Sequence, residues 1–194
     1  MKEITLFLSF ALAGCIPDIG FKRAENFVDP QFQPYVHAFQ LNYKGEWPPG
    51  LEVQFGQPED HEKTLGDCHT ESVNGKAFQY TIRIDESDWD SVRMYQREAL
   101  IMHELGHCVL LREHLNTNQT IQVDDKDFEC PVSWMTKSIR SEDVYLNCRS
   151  KLYIEFFGYQ DESEIFFPNY KPRRPSSISG IFTELLETLK GFFQ

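Results

Sequence analysis

Residues 103–114 read HELGHCVLLREH, and the conformation of this stretch decides how the rest of the chain is read. Upstream of it Val92, Tyr95, Ala99, Met102 and Leu105 recur at spacings of three and four, so a long helix is expected from about Ser91. On that helix His103 and His107 stand one turn apart on the same side, and both imidazoles can reach one metal ion. Glu104 adjoins His103 and is placed to take a proton from a water polarised by the metal. His114 poses a condition. In a continuing helix it would lie about 10 Å along the axis from His107, at about 1.5 Å per residue, too far to share the ion. It can be the third ligand only if the chain turns sharply between Leu110 and Glu113. Otherwise the third ligand is a downstream carboxylate from Asp124, Asp125, Asp127, Glu129 or Glu142.

On the N-terminal side, residues 35–43 (YVHAFQLNY) alternate Tyr35, His37, Phe39, Leu41 and Tyr43, which predicts a half-buried strand. WPPG (47–50) breaks it, and LEVQFG (51–56) predicts a second strand. Residues 57–76 are polar and read as loop, and FQYTIRID (78–85) alternates again as a third strand. On the C-terminal side, 116–129 read as polar loop. SEDVYLNCRSKLYIEFFG (141–158) predicts a helix capped by Ser141 and ended by Gly158, with Val144, Cys148, Leu152 and Phe156 on one face. Beyond it, residues 168–177 form a proline-rich linker. The tail 178–194 is an amphipathic helix with Ile178, Ile181, Phe182, Leu185, Leu186, Leu189, Phe192 and Phe193 on one side. That face packs on the domain or docks on a partner or a membrane surface.

With 194 residues, 41% of them hydrophobic and 14% aromatic, the chain suits one domain with a buried core, expected over residues 35–167. A formal charge of −11 argues against nucleic acid as a partner, since only KPRR (171–174) is locally basic. The N-terminal run ITLFLSFALAG is too short to span a bilayer and suits the core of a signal peptide. It ends in LAGC (12–15), which resembles the bacterial lipobox, so residues 1–14 are expected to be removed and Cys15 to carry the lipid. Residues 15–34 then form a tether. Export leaves Cys68, Cys108, Cys130 and Cys148, an even number that predicts two disulfides, with three pairings open.

HELGHCVLLREH resembles the metzincin zinc-protease motif HExxHxxGxxH, with the last histidine one residue later and no glycine at the turn. A bacterial branch of metzincin-like predicted lipoprotein metallopeptidases is similar in that insertion, and there Leu111 replaces a glycine. CPVSWMTKS (130–138) resembles the metzincin Met-turn, in which Met135 would form an apolar floor beneath the ligands. Lys137 stands where some metzincins place a tyrosine. The likeness covers about residues 65–158. It implies an α+β fold in which a small twisted sheet packs on a long metal-binding helix and a second C-terminal helix. It also implies Zn2+ on His103, His107 and His114, Glu104 as base and proton shuttle, and FQYTIRID as an edge strand that aligns a peptide substrate.

Cys108 follows His107 but points about 100° away around the helix, so it is expected in a disulfide rather than on the metal. The pairing expected is Cys68 with Cys108 and Cys130 with Cys148. The resulting expectation is a zinc metallopeptidase held at the cell envelope by an N-terminal lipid and acting on peptides or proteins. Two other readings share these residues: an envelope lipoprotein that keeps the scaffold without catalysis, and a zinc amidase acting on cell-wall peptides.

Overall fold

A small mixed sheet packs against the helix that carries His103, Glu104 and His107. In the computed structural model, residues 25–59, 64–73, 76–123 and 125–167 are described. The expected signal peptide, Cys15, the linker and the amphipathic tail lie outside them, as does Asp124. The chain runs β1 (Phe27–Val28), α1 (Gln33–Asn42), β2 (Leu51–Phe55), β3 (Gly66–Val73), β4 (Lys76–Ile84), α2 (Glu86–Trp89) and α3 (Met94–Cys108). It continues through β5 (Asn118–Val123), β6 (Lys126–Pro131) and α4 (Glu142–Phe157). Strands lie in the order β1-β2-β4-β3, with β1, β2 and β4 parallel and β3 antiparallel to β4 at the edge. The result is an α+β fold with a small mixed sheet, and β5 and β6 pair separately as a hairpin.

Several expectations change. Residues 35–42 are helical, not a strand, and Tyr43 is the extended residue that follows the helix. Pro34 starts the helix, and Tyr35, Val36, Ala38, Phe39 and Asn42 are its buried face while His37 and Leu41 are exposed. The expected tether is shorter than 15–34, because β1 and the start of α1 belong to the domain. The polar stretch 57–76 holds strand β3, and 116–129 holds most of the β5–β6 hairpin, whose tip has Asp125 at φ 62. FQYTIRID is not the edge strand: β4 is flanked on both sides, and β3 takes the edge.

The histidine-bearing helix α3 begins at Met94, with α2 as a separate turn before it, capped by the Asp85 carboxylate accepting from the Ser87 N–H at 2.8 Å. Gln96 closes the start of α3 by accepting the Arg93 N–H at 3.2 Å. Its buried Ile101, Met102 and Leu105 belong to the core that also holds Leu51, Val53, Ile82 and Ile84 of the sheet. On its other sides α3 meets α1 and α4. Gly158 ends α4 in the left-handed conformation at φ 70, as expected. Ser141 sits at its N-cap without a side-chain cap bond.

Two disulfides pin the helices to the strands. Cys68 of β3 is bonded to Cys108, the last residue of α3, and Cys130 of β6 to Cys148 of α4. Both pairings are those expected, and both suit a chain that matures in an oxidising compartment. Among the described residues no helix is long and apolar enough to cross a membrane.

Candidate metal centre

A left-handed leucine makes the site possible. The last helical bond of α3 runs from the Val109 N–H to the Leu105 carbonyl at 2.8 Å. Leu111 then adopts φ 53 and reverses the chain, and the Arg112 N–H donates to the Gly106 carbonyl at 3.0 Å. A residue with a side chain in this conformation costs about 1–2 kcal/mol relative to glycine. Leu111 is also 76% exposed, so burial does not offset that cost. The reversal brings His114 back over the helix, and the Leu115 N–H fixes the strand that follows by donating to the Met135 carbonyl at 2.9 Å.

The three imidazoles now converge. Nε2 of His103 lies 3.1 Å from Nε2 of His107 and 3.1 Å from that of His114, and His107 and His114 are 3.2 Å apart. Of the described residues, these three form the one group able to hold a metal ion. None of the carboxylates weighed as an alternative that lie among the described residues joins it: Asp125, Asp127, Glu129 or Glu142.

Backbone carbonyls set the tautomers. Nδ1–H of His103 donates to the Trp134 carbonyl at 2.9 Å, and Nδ1–H of His107 donates to the Arg112 carbonyl at 2.7 Å. A neutral ring with its proton on Nδ1 presents a bare lone pair at Nε2. Lone pairs facing each other this closely repel, and a cation between them converts repulsion into ligation. Burial holds His103 down to about 4, against the pull of the Trp134 carbonyl, and the neighbouring His107 and His114 push the same way. His103 is therefore neutral at pH 7, the form that ligates. His114 is also lowered, by burial first and then by His107 and Lys137, while Glu113 acts against them.

Glu104 is 4% exposed, one residue from His103. Burial, and then the charge of Asp67, push its carboxyl up to about 8 in the absence of a cation. Asp67 itself is held on β3 by Arg83, whose Nε donates to it at 2.9 Å. Gly66 lets β3 approach this closely. A Cβ there would meet Ile84 Cδ1 at 2.8 Å and Glu104 Cγ at 3.3 Å.

Met135 packs against the helix that carries His103 and His107, and it explains the glycine of HELGH. It is 1% exposed, and a Cβ on Gly106 would stand 2.3 Å from its Sδ. The imidazoles and Glu104 open onto a cavity of about 890 Å³. Asp67, Cys68 and Thr70 of β3 form one wall, Thr136 to Ile139 another, and Ala99, Leu100 and Tyr145 add apolar surface.

Sequence reasoning missed the two carbonyls that orient the imidazoles, because any residue supplies a carbonyl. It also missed Asp67 and Gly66, whose stretch was read as loop. No protein-family model matches the chain, and no curated protein or solved structure matches it.

Proposed function

We propose that this chain is a zinc-dependent metallopeptidase of metzincin-like type. The observation that carries the proposal is the convergence of three imidazole nitrogens on one point, with the buried Glu104 carboxyl beside them on the same helix. The donor set fits zinc. Imidazole nitrogens about 2.0–2.1 Å from a tetrahedral zinc lie about 3.3 Å from one another, close to the 3.1–3.2 Å found here. Three nitrogen ligands with one side open to a cavity is the pattern of a catalytic site; structural zinc sites are closed by four. When bound, zinc polarises a carbonyl oxygen and lowers the pKa of a water to about 7.

The chain's own groups supply the rest. Glu104 accepts the proton of the attacking water and passes it to the departing amine. A nearby cation favours its carboxylate form, so the rise to about 8 describes the metal-free chain. Trp134 and Arg112 hold the ligand rings through their carbonyls. The outer edge of β3 pairs with no strand among the described residues and borders the cavity. An extended peptide adding to that edge by main-chain hydrogen bonds would lie along the site. The two disulfides and the LAGC stretch support an exported, lipid-anchored enzyme of the bacterial envelope.

The test is hydrolysis of a varied peptide library by the zinc-loaded chain, beside Glu104→Gln. Glu104→Gln should keep its zinc and lose about 10²- to 10⁴-fold in kcat. A wild-type chain that is fully loaded with zinc and cleaves none of the peptides would sink the peptidase reading. It would leave the non-catalytic lipoprotein or the cell-wall amidase, and a separate assay on cell-wall peptides distinguishes those two.

A further inference from the structure

The turn that returns His114 to the metal point has no glycine, and its leucine is exposed and left-handed. Something other than Leu111 must hold it. We propose that Arg112 is the positioning residue that clamps this turn shut and thereby sets the affinity of the three-histidine site for zinc. The inference rests on that site being the metal site of the proposed peptidase.

Arg112 grips the turn at both ends. Through its main chain it closes α3, with its N–H on the Gly106 carbonyl at 3.0 Å, and it orients a ligand, with its carbonyl accepting Nδ1–H of His107 at 2.7 Å. Through its side chain it reaches the end of α4. Nη1 donates to the Glu155 carboxylate at 2.6 Å, and Nη2 donates to the main-chain carbonyls of Glu155 at 3.3 Å and Phe156 at 3.1 Å. Those carbonyls lie in the last turn of α4, where helical partners run out. The guanidinium also lies over the Phe156 ring, 5.1 Å from its centroid, and that ring borders Gly106. One residue thus ties the end of the metal helix, a ligand's tautomer and the closing helix into a single joint. His114 is two residues further on.

The chemistry needs arginine. A planar fork can meet a carboxylate and two carbonyls together, whereas a lysine ammonium is a single point on a flexible stem. The joint also accounts for how the turn tolerates Leu111. Anchored on both sides, the backbone is held in the left-handed conformation that the leucine alone would leave. If so, the importance of Arg112 depends on what residue 111 is, and glycine there should relieve it.

The experiment measures zinc affinity of the full-length chain by competition with a chromophoric chelator, and the visible spectrum of the Co2+-loaded chain. Arg112→Met should weaken zinc on the order of 10- to 100-fold and alter the Co2+ spectrum, with Arg112→Lys restoring only part. Leu111→Gly alone should stay within about threefold of wild type, and adding it to Arg112→Met should recover at least about fivefold. Glu155→Gln, the milder change, should cost about three- to tenfold should Arg112→Met fold poorly. Tyr153→Phe is the stability control, since it removes the 2.6 Å bond to Glu98 that also joins α4 to α3. It should lower the thermal midpoint and leave zinc affinity unchanged.

Wild-type affinity retained in both Arg112→Met and Glu155→Gln would overturn the proposal. So would a loss in Arg112→Met that Leu111→Gly does not relieve, or an equal loss in Tyr153→Phe. A wild-type chain that binds no zinc overturns the metal site itself, and this inference with it.

Discussion

Replacing Gly106 with alanine sets two effects against each other within α3. Alanine is the better helix former by about 1 kcal/mol, which stabilises. The new methyl would stand 2.3 Å from Met135 Sδ and 3.0 and 3.1 Å from two ring carbons of Phe156. Non-bonded heavy atoms rest at about 3.5–4.0 Å, so the sulfur must retreat by more than about 1 Å. Met135 and Phe156 are 1% and 2% exposed, so each must shift within the core. Overpacking of this kind costs about 1–3 kcal/mol, which at least cancels the propensity gain and leaves a net loss of up to about 2 kcal/mol. The retreat also disturbs Trp134, one residue away, whose carbonyl holds His103, so zinc affinity should fall about tenfold. The assay is urea unfolding of wild type, Gly106→Ala, Met135→Ala and the double variant, each with and without zinc. Removing the methionine side chain opens the space, so alanine at 106 should cost at least about 1 kcal/mol less in that background. Additive energies, or a Gly106→Ala chain more stable than wild type, would refute the close packing of Met135 on the metal helix.

Glu104 gives the metal-free protein a pH dependence whose sign is fixed. Its folded pKa is raised from 4.5 to about 8, so its contribution to stability is fully present below about pH 4.5 and is lost as pH rises through about 8. In chelated samples, wild type should therefore lose stability relative to Glu104→Gln between pH 5 and pH 9, and a constant difference across that range would contradict it. His103, lowered from 6.5 to about 4, acts in the opposite sense. Its contribution is present above about pH 6.5 and is lost as pH falls through about 4, so a His103→Asn chain should show less acid destabilisation. The Cys68–Cys108 bridge spans 40 residues and the Cys130–Cys148 bridge 18. Chain entropy then makes them worth about 4 and about 3 kcal/mol, and paired serine replacements read by denaturant unfolding should rank in that order. A larger loss at Cys130 and Cys148 would reverse the expectation.

The helical half of the candidate site is legible in the sequence because it is local. His103, Glu104 and His107 depend only on the helical period of their own stretch, which Val92 to Leu105 declare. Gly106, on the same stretch, leaves the space that Met135 fills. His114 was a conditional reading, since it depends on a reversal at Leu111 that no propensity favours; the turn is held by contacts from α4, 43 residues away at Glu155. The misreadings have a common origin in ambiguous or weak local signals. Tyr35, Phe39 and Tyr43 satisfy a period of two and a spacing of four equally well, and Pro34 and the burial of Val36 decide for the helix. Strand β3 reads as loop because an edge strand with exposed His69, Thr70, Glu71 and Ser72 has little apolar pattern to show. Its place at the edge, which displaced FQYTIRID inward, is a property of sheet order and not of either strand's composition. The Trp134 and Arg112 carbonyls carry no side-chain signature at all.

In the function proposed here, His103, His107 and His114 jointly ligate one zinc ion. Zinc K-edge absorption of the loaded full-length chain, with His114→Ala measured alongside, addresses it most directly. One zinc per chain is expected, ligated by three imidazole nitrogens at about 2.0–2.1 Å, falling to two in His114→Ala. A chain that takes up no zinc, or a ligand set that the His114 substitution leaves unchanged, would contradict it.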